Sequence, residues 1–194
     1  AAHALRMTAM IRLLLVTSAL LLGACQPQAG PRGDDGPVLV TVLSPSGSAA
    51  APQSGLFERY ALAGPADGFT LERLKQLEPA TLSAAYPAGT APRAWTGPAL
   101  SDVLAAAGAP GAGARLTALD GYAIEIGAAR IAEHAPILAL SADGAPLSLG
   151  GLGPVMLIWP DTAPGPDTDS GAADWVWGVF AIEALGEGAD QGAP

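Results

Sequence analysis

The segment Val155 to Trp159, VMLIW, is an unbroken run of apolar β-formers held between Gly153-Pro154 and Pro160. No polar residue marks a wet face, so the run reads as a strand buried on both sides and central to whatever fold contains it. Such a strand needs an equally apolar neighbour. Asp174 to Leu185, DWVWGVFAIEAL, is long and apolar on both faces, and the pattern predicts that the two segments pair. The stretch between them is too rich in Pro, Gly and Asp for regular structure.

The remaining segments are short. Val38 to Leu43 is a β-branched run ending at Ser44-Pro45-Ser46-Gly47, and Leu56 to Leu62 fits a second strand. In FTLERLKQLEP, Thr70 caps a helix whose Leu71, Leu74 and Leu77 share a face and which ends by Pro79. Ala80 to Tyr86 is extended. Ser101 is placed to cap a two-turn helix that closes at Gly108. Arg115 to Asp120 and Tyr122 to Ile126 read as strands broken by Asp120-Gly121, Ala128 to His134 as a helix, and Asp143-Gly144 as a hairpin turn. Strands mixed with short helices, without βαβ alternation, predict an α+β fold with a mixed β-sheet.

The N-terminus carries a different signal. Arg12 followed by the apolar run Leu13 to Leu22 is too short to span a bilayer and reads as an export signal, with Met7 and Met10 as alternative starts. Its end, Leu22-Gly23-Ala24-Cys25, resembles a bacterial lipobox, which implies cleavage after residue 24 and lipid on Cys25, the only cysteine. The expected organisation is a signal peptide over 1–24, a flexible tether over 25–36, one domain over 37–186 and a disordered tail over 187–194. Gln26 follows the cysteine where Asp would signal inner-membrane retention, so resemblance to Gram-negative lipoproteins favours the periplasmic face of the outer membrane over the inner one. Net charge is −9, and removing the leader with Arg6 and Arg12 leaves 7 basic against 18 acidic residues. That balance excludes nucleic-acid binding, which needs clustered Lys and Arg.

The order and spacing of FTLERLKQLEP, WTGPALSDVLAAAG, LTALDGYAIEI, PILALSADGAPL, GPVMLIWP and WVWGVFAIEAL resemble the molybdopterin-binding domain of the sulfite oxidase type, over roughly Leu56 to Leu185. Within that superfamily the chain is similar to the small exported proteins that consist of this domain alone. The resemblance implies a sulfite-oxidase-like fold, a molybdopterin cofactor if the family's activity is retained, and a cleft near Arg93, Trp95, Asp120 and Tyr122. It also implies a metal-holding thiolate near Thr81 to Tyr86, where this chain has Ser83 and no cysteine. A hydroxyl is a poor substitute for that soft ligand. Where the family has a Val-Lys-Trp-like element that helps hold the anionic cofactor, this chain has Asp161, Asp167, Asp169 and Asp174 with no Lys or Arg among them.

No residue is therefore assigned to catalysis or to a metal. His134, the one histidine after the leader, reads as a surface or capping residue, and the Asp-rich loop matches no EF-hand spacing. Gly150-Gly151-Leu152-Gly153 precedes a strand rather than opening a helix, so it reads as a turn. Trp159 and Trp175 read as core. The leading expectation is a lipid-anchored accessory module, without cofactor, for a periplasmic protein partner. The alternatives are a molybdopterin-dependent oxidoreductase with an atypical metal shell and a small-anion-binding lipoprotein using Arg93.

Overall fold

The computed structural model describes residues 36–87, 89–160 and 174–186. The leader, Cys25, the tether apart from Gly36, Asp161, Asp167, Asp169 and the C-terminal tail lie outside them. The described chain is α+β, with mixed sheets and short helices. Among its residues no helix is long and apolar enough to cross a membrane.

β1 (Val38–Leu43) enters the core through Val40 and Val42, both fully buried. The chain then runs through β2 (Ala49–Ala50), helix α1 (Leu56–Arg59) and β3 (Pro65–Thr70). Leu56 to Leu62 is thus not a strand. Leu56, Phe57 and Tyr60 follow helical rather than alternating spacing, and they pack a second small core around Phe180, with the Phe57 ring edge-on to it at 5.4 Å. Helix α2 (Leu71–Lys75) starts as its sequence predicts: the Thr70 hydroxyl accepts a hydrogen bond from the Arg73 N–H at 3.2 Å, and Leu74 is fully buried.

β4 (Pro79–Ala84) and β5 (Arg93–Pro98) form an antiparallel pair, and helix α3 (Leu100–Ala106) follows. Ser101 does not cap α3. The cap position falls on Ala99, which bridges to Ile137 while the Leu100 N–H donates to the Pro136 carbonyl, so the neighbouring strand rather than a side chain sets the helix start. At its other end the N–H groups of Gly108 and Ala109 donate to Ala105 and Leu104, a Schellman closure. β6 (Gly113–Ala118), β7 (Ala123–Ile126) and helix α4 (Ala128–His134) lie within a residue or two of where the pattern puts them. β8 (Ile137–Ala139) precedes the hairpin of β9 (Ser141–Ala142) and β10 (Ala145–Pro146), whose turn residues Asp143 and Gly144 have φ of 50° and 77°. Two consecutive positive φ values define the type I′ turn that Asp-Gly favours.

The opening run becomes β11 (Met156–Ile158), and it pairs antiparallel with β8, every residue of both strands being buried. With the closing segment it pairs only in part, as far as the Val179 N–H, which donates to the Val155 carbonyl at 3.0 Å. Gly178, at φ +64°, divides DWVWGVFAIEAL: Trp177 bridges to Met156 and the Leu157 N–H donates to Val176, whereas β12 (Val179–Leu185) enters another sheet. That sheet has six strands in the order β2-β3-β1-β12-β6-β7, with β12 parallel to β1 and antiparallel to β6. A four-stranded sheet runs β10-β9-β5-β4, and β11 and β8 stand as a pair. The main core joins all three sheets through Trp95, Leu116, Leu138, Leu157 and Ile158. Each large aliphatic side chain buried there contributes about 2 kcal/mol.

Candidate functional site

The residues that the resemblance points to fall into two pairs. Arg93 and Trp95 are on β5, where the guanidinium carbon lies 5.1 Å from the indole centroid. Trp95 is completely buried, and its Nε1–H donates to the Ala84 carbonyl at 3.0 Å. Arg93 Nε reaches Asp143 Oδ2 at 2.8 Å, and the Ala94 N–H donates to Oδ1 at 2.9 Å, so the hairpin turn is tied to β5. Asp120 and Tyr122 occupy the β6–β7 turn in the six-stranded sheet, with Asp120 Oδ1 accepting from the Tyr122 N–H.

The hydrogen bond from Arg93 first, and that from Ala94 second, hold the Asp143 carboxyl below the usual carboxylate range. The stabilisation is therefore present above that range and lost as pH falls through the depressed value. Arg93→Gln is expected to move the Asp143 midpoint upward in a carbon-detected NMR titration. An unchanged midpoint would remove Arg93 as the cause.

A denser constellation forms around Trp159, at the end of β11. Its Nε1–H donates to the Asp174 carbonyl at 2.9 Å. Arg130 of α4 places its guanidinium 4.3 Å from the Trp159 centroid and 2.5 Å from Asp174 Oδ2. That oxygen is buried, and the charge of Arg130 compensates it. His134, one turn further along α4, presents its ring edge-on to Trp159 at 6.4 Å. On the other side of Asp174, Trp175 stacks on Tyr86 at 5.2 Å and 16°, and Trp177 leans on Tyr86 at 6.4 Å. Trp159 and Trp175 are buried, as the sequence suggests, whereas Trp177 is exposed. Burial pushes the Tyr86 phenol above the usual tyrosine range, so it stays a neutral hydroxyl at ordinary pH.

Sequence reading names His134, Asp174, Tyr86 and the Trp residues, but not Arg130, and not their meeting. The signal available was the i,i+4 spacing of Arg130 and His134, which puts both on one face of α4. Chemically, the constellation offers a partly exposed aromatic surface beside a buried ion pair. Among the described residues no group of three or more His, Cys, Asp or Glu is arranged to hold a metal ion.

No family model matches this chain, and no curated protein matches it.

Proposed function

We propose that this chain is a lipid-anchored accessory or binding module on the periplasmic face of the outer membrane, with a sulfite-oxidase-like fold and without molybdenum catalysis. The observation that carries the reading is the commitment of its cations. The described residues include six Lys and Arg side chains, and five of them, Arg73, Lys75, Arg93, Arg115 and Arg130, are paired with carboxylates. A phosphate-bearing pterin would compete with an acid at each of these five, weakly at an exposed pair such as Lys75–Glu72 and strongly at the largely buried Arg130–Asp174 pair.

The donor chemistry at the thiolate position supports the same reading. Ser83 is exposed on β4, and Tyr86 is packed on Trp175. Neither supplies the soft sulfur that would hold the metal. The residues present do not fit the group.

Metal analysis and pterin fluorescence on protein made through its native export route test this directly. Substoichiometric molybdenum and no pterin emission are expected. Stoichiometric molybdenum with a pterin would overturn the accessory reading in favour of an oxidoreductase with an unusual metal shell.

A further inference from the structure

β4 is an edge strand of the four-stranded sheet, and its pairing parity fixes which backbone groups face outward. Pro79 stands opposite Pro98, and neither has an N–H, so this is a non-hydrogen-bonded pair. The alternation of an antiparallel ladder then makes Ala80, Leu82 and Ala84 the residues bonded to β5. Thr81 and Ser83 turn their N–H and C=O groups away from it. The far side of β5 agrees: the carbonyls of Thr96 and Ala94, partners of Thr81 and Ser83, accept from Leu140 and Asp143 instead.

This edge lacks the charges that ordinarily guard one. PATLSA contains no charged residue, its proline is at the first position, and both Thr81 and Ser83 are exposed. At the Pro79 end the strand meets an apolar groove of about 400 Å³, lined by Leu71, Leu77, Pro79, Pro98 and Leu140, with Lys75 also in its wall. Lys75 is the only lysine in the chain. Its pairing with Glu72 at 3.2 Å is between two exposed side chains, a contact that contributes little and exchanges readily.

We infer that β4 is a docking edge for an extended segment of a partner protein, added antiparallel, with an apolar side chain followed by a carboxylate at the Pro79 end. Main-chain bonds to Thr81 and Ser83 hold the strand, the groove takes the apolar side chain, and Lys75 selects the negative charge. The inference gives the accessory reading a partner class, yet it fails separately. Molybdenum in the purified protein would overturn that reading and leave the edge untouched.

The test uses the full chain and a synthetic peptide of alternating valine and threonine ending in leucine with a free carboxylate. Amide hydrogen exchange by NMR reads the edge. Without peptide, Thr81 and Ser83 exchange quickly while Ala80, Leu82 and Ala84 are protected. With peptide at saturation, Thr81 and Ser83 slow about tenfold or more. Thr81→Pro removes an outward N–H that the β4–β5 ladder does not use, and it should weaken binding about tenfold. Amidating the peptide, or Lys75→Gln, should weaken it about threefold. Should Thr81→Pro disturb the fold, a peptide N-methylated at the residues facing β4 tests the same bonds on the unaltered protein. Unchanged exchange at Thr81 and Ser83 in millimolar peptide, or equal binding of the N-methylated peptide, would overturn the inference.

Discussion

Gly97→Ala is expected to lower the melting temperature by about 10 °C, corresponding to about 3 kcal/mol in a domain of this size. A β-carbon at Gly97 would lie 1.9 Å from the Leu138 carbonyl oxygen and 2.9 Å from the Ala139 α-carbon. Those atoms are backbone of β8, which is buried and paired with β11, so they cannot swing aside as a side-chain tip would. The cost arises from close approach, which is one reason a strand interior keeps glycine. The Trp-x-Gly segment that carries part of the family resemblance thus has a packing explanation in this chain. Trp95 faces the core and Gly97 lets β8 cross β5. Thermal unfolding followed by tryptophan fluorescence measures the effect, and a loss under about 1 kcal/mol would mean that β8 and β5 are less closely apposed.

The second large effect concerns Arg130. Arg130→Leu is expected to cost about 3 kcal/mol in urea denaturation, because it strands the Asp174 carboxylate with its side chain only 10% exposed. Asp174→Asn added to Arg130→Leu should recover more than about 1 kcal/mol, since a neutral amide is cheaper to bury than an unpaired charge. If the two losses simply added, the ion pair would not be what compensates Asp174.

The same pair shows where a sequence stops being informative. Thr70, Asp143-Gly144 and Gly108 act through neighbours within five residues, and each makes the local contact its residue type predicts. Arg130 and Asp174 are 44 positions apart, and no local pattern joins them. Among the acids that read as an uncompensated run, Asp174 therefore has a cation supplied from another element. Leu56 to Leu62 reads as strand because Leu56, Phe57, Tyr60 and Leu62 are large and apolar, and tertiary packing against Phe180 decided otherwise. The buried character of β11 was legible from composition alone. Its pairing with the closing segment was legible only as far as Val179, and its other partner was not, because β8 is only three residues long and Gly178 redirects the longer candidate.

The six-stranded sheet has one more consequence. Its two central strands, β1 and β12, come from opposite ends of the described chain, with Thr41 registered against Ala181. During synthesis β1 and β6 are both made before the strand that lies between them. Neither can complete its hydrogen bonding in this sheet until Leu185 has emerged, so the ribosome finishes the domain before the domain can finish itself.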